Sequence, residues 1–172
     1  MWYFTGKGDQ GYSSLYDGRQ ISKGDIVLEL IGTLDEATAH LGLAISFCEI
    51  SELAADLRGI QVQLSKLMGL LAGREELDPD EKTFPIGAID WLENKIDIYG
   101  KPISKPHAFL FSGQSTFGAV IDVSRTVIRR AERIAVRFFN SDDYRKKDIL
   151  TYLNRLSSFL YILRLYIEFS IK

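Results

Sequence analysis

The chain contains little of the chemistry that cross-links small proteins or binds structural metals. Its 172 residues include one cysteine, Cys48, and two histidines, His40 and His107. A single thiol cannot form an internal disulfide, and three separated ligands do not have the spacing of a zinc site. This cysteine content is typical of a protein in a reducing cytoplasm, whose fold depends on a hydrophobic core.

Strong charge and long apolar runs are also missing. The formal net charge of −2 provides no general attraction to nucleic acid. Arg164 and Glu168 interrupt the most apolar stretch, so no run reaches the roughly 18 residues of a membrane span. The first residues, MWYFTGKGDQG, lack the basic start and apolar run of a secretory signal. We therefore expect a cytoplasmic protein with no membrane or nucleic-acid partner.

Apolar residues three and four positions apart dominate the chain from Asp25 onward, which predicts helices. Ser51 is a candidate N-cap for the second helix, and Gly73 is placed to end it. The third is expected around Ile86 to Tyr99. The predicted core positions are Leu28, Ile31, Leu34, Leu41 and Ile45 in the first helix, and Leu53, Leu57, Ile60, Leu64, Leu67 and Leu71 in the second. They continue with Val120, Val123, Val127, Ala131, Ile134 and Phe138 in the fourth, and Ile149, Leu153, Leu156, Leu160, Leu163 and Ile167 in the fifth.

About five helices without convincing strand pairs can bury their apolar faces only against one another. The sequence therefore predicts an all-α, five-helix bundle in one domain, 1–172. Charged residues 74–84 and the turn at 140–143 are expected to connect helices. Aromatic residues of the last helix favour either self-association or an ordinary core: Phe159, Tyr161, Tyr166 and Phe169.

Glycine is concentrated in the N-terminal segment, 1–24, which precedes the predicted bundle, 25–172. The motif TGKGDQG surrounds Lys7 and Asp9 with glycines, which let backbone N–H groups approach an anion closely. It is not a Walker A motif, because Gly8 follows Lys7 where serine or threonine is required. Two interpretations remain open: a phosphate-binding loop or a flexible terminus.

A second cluster, SRTVIRRAER, places Arg125, Arg129 and Glu132 on one helix face, because they are four and three residues apart. Planar guanidinium groups suit phosphates and carboxylates, so this face either binds an anion or is simply a solvated basic surface. Arg130, Arg133 and Arg137 lie on a different face, which we expect to be solvated.

Two further motifs place polar groups within apolar helices. GTLDE, residues 32–36, contains Asp35, which is either a partner for one of these arginines or a residue that faces water. YLNRLS, residues 152–157, contains Asn154, whose amide is suited to a ligand or to a neighbouring helix.

Taken together and in order, TGKGD-x-G, GTLDE, F-x-x-x-G, SRTVIRRAE and YLNRLS resemble the PduO-type ATP:cob(I)alamin adenosyltransferases. The resemblance extends from Thr5 to about Tyr166. It implies a ferritin-like five-helix bundle that forms homotrimers, with active sites between subunits. It also implies transfer of the 5′-deoxyadenosyl group of ATP to cobalt, with release of triphosphate.

The resemblance also implies roles for individual residues. The N-terminal segment would enclose the triphosphate and its Mg²⁺, with Mg²⁺ held through the ATP phosphates. Asp35 would pair with Arg125 across the subunit interface. The residues implied for ATP binding are Thr5, Gly6, Lys7, Gly8, Asp9, Gly11, Ser13, Lys23, Arg129, Glu132 and Asn154.

Phe109 is the residue implied to crowd the lower face of the corrin, with Phe111 as its rival. Most members of the family have Pro-Gly-Gly after this phenylalanine, whereas Ser112, Gly113 and Gln114 stand here. A reductase and an adenosylcobalamin-dependent enzyme are the expected protein partners. The alternatives are an inactive ATP or cobalamin carrier on the same fold, and a helical interaction protein without nucleotide affinity.

Overall fold

The computed structural model describes residues 6–74, 85–139 and 146–170. Two short strands, β1 (Tyr12–Ser14) and β2 (Gln20–Ser22), precede five helices. These are α1 (Ile26–Ser46), α2 (Ser51–Leu71), α3 (Ile86–Gly100), α4 (Thr116–Phe138) and α5 (Lys146–Phe169). The predicted five-helix bundle is confirmed. Thr5, most of the charged connection 74–84 and the predicted turn at 140–143 lie outside the described residues.

Side-chain caps begin two of the helices. Asp25 accepts a hydrogen bond from the backbone N–H of Val27 at 2.9 Å, and Ser115 accepts one from Gly118 at 3.0 Å. Each bond satisfies an N–H group that has no partner inside its helix, which stabilises α1 and α4 at their starts.

The predicted boundaries of α2 are right at one end and wrong at the other. The N-cap is Ile50, with no side-chain capping bond, and Ser51 is already helical. The helix ends as predicted at Gly73, whose φ of 79° suits glycine. There the N–H of Arg74 donates to Gly69 O and that of Gly73 to Leu70 O, which is the Schellman arrangement.

The bundle packs around α4 and α5. α1 contacts α2 and α4, α4 contacts α5, and α5 contacts α3. Polar contacts also join α2 to α3, because Asp56 accepts a hydrogen bond from Tyr99 Oη at 2.6 Å and pairs with Lys95 Nζ at 2.8 Å. Burial of Tyr99 and its proximity to Asp56 raise the pKa of the phenol.

The apolar faces are rotated slightly from those that the sequence predicts. In α1, Leu30, Leu34 and Leu41 are fully buried, whereas Leu28 and Ile31 are only partly buried. In α4, Val123 is 44% exposed because Ile121 and Ser124 point inward instead. Neighbouring positions on a helix differ by about 100°, so the packing of the adjacent helices decides which of two apolar residues faces the core.

The aromatic residues of α5 divide between core and surface. Phe159 is fully buried, Tyr161 and Tyr166 are partly buried, and Phe169 is 50% exposed. Over the described ranges, none of the helices has the combination of length and apolar character needed to cross a membrane.

The expectation of no strand pairs is wrong for the N-terminal segment. β1 and β2 form an antiparallel hairpin in which Ser13 lies opposite Ile21. Leu15 is buried, and the N–H of Tyr16 donates to Ala72 O at 2.9 Å. Three-residue strands with mixed polarity have too few positions for an alternating pattern to be recognised in the sequence. The hairpin attaches the glycine-rich segment to the end of α2.

Candidate functional site

The glycine-rich segment forms a tight turn next to the hairpin. Gly6 and Gly11 have φ values of 70° and 83°, and the N–H of Lys23 donates to Gly11 O at 2.8 Å. The Lys23 ammonium lies 3.0 Å from where a Cβ on Gly8 would be, so a larger residue there would displace it. Lys7 and Asp9 are exposed. The turn therefore combines exposed cationic groups with backbone that only glycine adopts easily.

Arg125 and Arg129 lie one turn apart on α4 and have different surroundings. Arg125 Nε pairs with Asp122 Oδ1 at 2.7 Å, and the side chain is 23% exposed. Arg129 is exposed. Asp122 was not singled out from the sequence, although its position three residues before Arg125 is the signal that identifies such a pair.

Glu132 and Asn154 are in direct contact, as candidates for one site should be. Asn154 Nδ2 donates to Glu132 Oε1 at 3.1 Å and joins α5 to α4. Asn154 Oδ1 accepts from Arg155 Nη1 at 3.0 Å, and Arg155 Nε donates to Glu93 at 2.7 Å. This chain of polar contacts fixes the orientation of the Asn154 amide.

Within one protomer, Asp35 does not meet Arg125. Asp35 and Glu36 are exposed on α1, and Glu36 pairs with Arg130 of α4. The ion pair of Arg137 with Glu29 at 3.4 Å shows that the two helices are antiparallel. Because residue 36 of α1 lies opposite residue 130 of α4, residue 41 lies opposite residue 125. Asp35 is therefore six residues, about 9 Å along the helix axis, from the position that faces Arg125.

Arg130, Arg133 and Arg137 are exposed, as predicted for a solvated face. Two of them nevertheless form ion pairs with glutamates of α1, namely Arg130 with Glu36 and Arg137 with Glu29. Exposed pairs of this kind contribute little stability, about 0 to 1 kcal/mol each.

Phe109 and Phe111 are large apolar side chains on the segment between α3 and α4. They are 82% and 79% exposed, and their rings pack edge to face at 5.1 Å. The neighbouring Leu110 lines a cavity of about 390 Å³ between this segment and the end of α5, where Lys105, His107 and Phe169 also contribute. Two exposed aromatic rings beside a cavity form a surface suited to a large, partly apolar ligand.

A buried arginine near this segment was not assigned a role from the sequence. Arg164 of α5 is 2% exposed and contacts Asp122, Glu168 and the backbone carbonyls of Leu110 and Phe111. Its only sequence signal is a charge within an apolar helical stretch. Buried charges require partners. Glu168 is one helical turn away, whereas Asp122, Leu110 and Phe111 lie far away in the chain.

Within residues 6–74, 85–139 and 146–170, no group of three or more His, Cys, Asp or Glu side chains is arranged to hold a metal ion.

Comparison with known proteins gives a consistent result. Residues 3–167 match the family model described as cobalamin adenosyltransferase. The corrinoid adenosyltransferase of Bacillus subtilis is 31% identical over 94% of this chain and 83% of its own length. The corrinoid adenosyltransferase MMAB of Bos taurus is 32% identical over 95% of this chain and 70% of its own.

Solved structures show the same fold. A variant of the PduO-type ATP:corrinoid adenosyltransferase from Lactobacillus reuteri, complexed with cobalamin and ATP, superposes with a TM-score of 0.83 at 26% identity. The match covers 96% of this chain and 93% of that one.

Proposed function

Because the chain belongs to the cobalamin adenosyltransferase family, we propose that it transfers the 5′-deoxyadenosyl group of ATP to the cobalt of cob(I)alamin. The products are adenosylcobalamin and triphosphate. The observation that carries this proposal is the family match over residues 3–167, which includes the TGKGDQG motif and most of α5.

In this reaction the protein must position the two substrates, and the nucleophile needs little activation. The electron pair of Co(I) forms the bond to C5′ of ATP, and the pair of the C5′–O bond leaves with triphosphate. Because Co(I) is already a strong nucleophile, no general base is needed. The protein must hold cobalt in line with C5′ and stabilise the negative charge that develops on the leaving triphosphate.

We assign the triphosphate to the N-terminal segment 1–24. Lys7 and Lys23 supply positive charge, and the glycines of the segment from Thr5 to Gly11 allow phosphate oxygens to approach the backbone closely, with Ser13 nearby. This assignment is supported by the exposed Lys7 and by the Lys23 ammonium beside Gly8. The bundle, 25–172, then supplies the rest of the site.

Mg²⁺ fits this arrangement as a companion of ATP. Asp9 is an exposed carboxylate in the glycine-rich turn, and no cluster of three metal-binding side chains lies within the described ranges. Mg²⁺ is commonly held by one or two carboxylates together with substrate phosphates, so Asp9 is its candidate protein ligand. Bound there, the ion would neutralise part of the triphosphate charge.

The arginines of α4 complete the ATP site between subunits. We assign Arg129 to ATP, beside the fixed pair of Glu132 and Asn154. Arg125 would pair with Asp35 of the partner subunit in a homotrimer. The helix register supports this assignment, because Asp35 and Arg125 of one protomer are too far apart along α1 and α4 to meet.

Phe109 is assigned to the lower face of the corrin, with Phe111 packed against it. Apolar rings there would exclude the lower axial ligand of cobalt. The four-coordinate Co(II) ion would then be easier to reduce, because it lacks a donor that stabilises the oxidised state. A reductase would supply the electron, and an adenosylcobalamin-dependent enzyme would receive the product.

The direct test mixes the protein with Mg-ATP and chemically reduced cobalamin. We expect the cobalamin spectrum to change to that of adenosylcobalamin, with an equal amount of triphosphate released. If a folded sample binds ATP but yields neither product, the catalytic proposal is wrong and an inactive carrier on the same fold is favoured.

Limited proteolysis tests the ATP assignment separately. ATP should protect residues 5–24 from cleavage, whereas AMP, which lacks the triphosphate, should protect them much less. Equal cleavage with and without ATP would contradict the assignment of this segment to the triphosphate.

A further inference from the structure

Arg164 connects three separate parts of the protein. Its guanidinium is buried at the end of α5, where an unpaired charge would be very costly. Nε donates to Glu168 Oε2 at 3.0 Å, and Nη1 lies 3.5 Å from Asp122 Oδ1 on α4. Nη2 donates to the carbonyl of Phe111 at 2.5 Å, and both Nη atoms lie 3.4 Å from the carbonyl of Leu110.

The contact with Asp122 extends this network to Arg125. Asp122 Oδ1 lies 2.7 Å from Arg125 Nε as well as near Arg164. One carboxylate oxygen is therefore shared by a buried arginine and by an arginine at the surface of α4. A continuous polar path runs from the backbone of Phe111 through Arg164 and Asp122 to Arg125.

We propose that Arg164 is a positioning residue that couples the phenylalanine segment to Arg125, an inference that rests on the proposed function. By binding the carbonyls of residues 110 and 111, it sets the direction of the Phe109 and Phe111 rings toward the corrin. By holding Asp122, it fixes the carboxylate that orients Arg125. Arg164 thus links the segment that faces the corrin to the α4 arginine at the subunit interface.

The chemistry of arginine explains why this position is charged. A guanidinium has five N–H donors in a fixed plane, so it can bind two carboxylates and two carbonyls at once. Lysine has the same charge but a single nitrogen, and cannot span these partners. A role limited to packing would be filled better by an apolar side chain.

Glu168 contacts Arg164 through Nε, whereas Asp122 lies near Nη1. The Glu168 side chain is fully buried, and its Oε1 has no hydrogen-bond partner within the described residues. Oε1 lies 2.9 Å from where a Cβ on Gly118 would be. The carboxylate is therefore kept in place by its ion pair with Arg164 and by close packing against α4.

The test compares Arg164→Lys and Glu168→Gln with the wild-type protein. Both variants keep the local volume. We expect Arg164→Lys to lower kcat and raise KM for cobalamin, with a combined loss of about 10- to 100-fold from misplacement, while KM for ATP stays within about twofold. Glu168→Gln should show the same pattern more weakly, because the link from Arg164 to Asp122 and to the carbonyls remains.

A double-mutant cycle with Phe109→Ala separates positioning from general destabilisation. If Arg164 acts through the phenylalanine segment, Arg164→Lys should cost much less in the Phe109→Ala background than alone. Additive losses, equal rises in both KM values, or wild-type kinetics in the folded variants would overturn the inference. If Arg164→Lys does not fold, Glu168→Gln decides the question by the same criteria. Absence of turnover in the wild-type protein would instead refute the proposed function.

Discussion

Gly73 is the position at which a single methyl group should detach the N-terminal hairpin from the bundle. It ends α2 with a φ of 79°, and a Cβ there would lie 2.5 Å from Oδ2 of Asp17 and 2.9 Å from its Cγ. Asp17 is itself held in place, since it accepts from the backbone N–H of Arg19 at 3.0 Å and from its Nε at 2.7 Å. The substitution Gly73→Ala therefore adds a collision to backbone strain.

The two costs can be separated with Gly18→Ala. Gly18 has a similar φ of 83°, but a Cβ there would meet nothing within 4 Å. Each alanine is strained by about 1 to 2 kcal/mol in this left-handed region. Only Gly73→Ala forces the hairpin away from α2, and overpacking of this kind adds at least about 1 kcal/mol.

The loss of stability is measured by urea unfolding, and detachment of the hairpin by KM for ATP and by limited proteolysis. We expect Gly73→Ala to unfold at lower urea than Gly18→Ala, to raise KM for ATP, and to expose residues 6–25 to protease. Adding Asp17→Ala to Gly73→Ala removes the collision, and should recover most of the stability difference between Gly73→Ala and Gly18→Ala. If Gly73→Ala and Gly18→Ala behave alike, a collision with Asp17 does not displace the hairpin and the reasoning is wrong.

Three other perturbations test the core and the site. Tyr99→Phe removes the hydroxyl that donates to Asp56 and should destabilise the fold by about 1 to 3 kcal/mol. The folded pKa of Tyr99 is raised, so this contribution is fully present below the unfolded pKa of about 10 and falls as the pH rises toward the folded pKa. In urea unfolding, the stability difference between the two proteins should therefore stay constant from pH 7 to about 10 and decrease above it. Arg125→Ala should lower turnover at least about tenfold and weaken assembly, measured by steady-state kinetics and sedimentation; wild-type turnover would contradict its role. Phe109→Ala should lose more activity when the assay starts from Co(II) than from pre-reduced Co(I), and equal losses would direct attention to Phe111.

The positions of the helices could be predicted because local signals determine them. Apolar spacing locates α1 to α5, and Gly73 has the left-handed backbone that ends α2. The apolar pattern begins at Asp25, and the structure adds that its side chain caps α1. Each of these signals depends on residues close together in the sequence, so the sequence alone is enough to locate the helices.

The contacts between helices could not be predicted in the same way. Tyr99 meets Asp56 across 43 residues, and Arg164 meets the carbonyl of Phe111 across 53. Nothing near any of these residues in the sequence specifies its partner, since the partner depends on how the helices rotate and slide against one another. The N-terminal hairpin was missed because its strands are only three residues long.

The sequence by itself therefore determined the five helices and the resemblance from which the candidate residues follow. Only the tertiary structure decided that Glu132 binds Asn154, that Arg125 shares Asp122 with Arg164, and that Asp35 lies out of register with Arg125 in one protomer. The physical reason is that helical periodicity is a property of neighbouring residues, whereas the register between helices is set by the packing of the whole core.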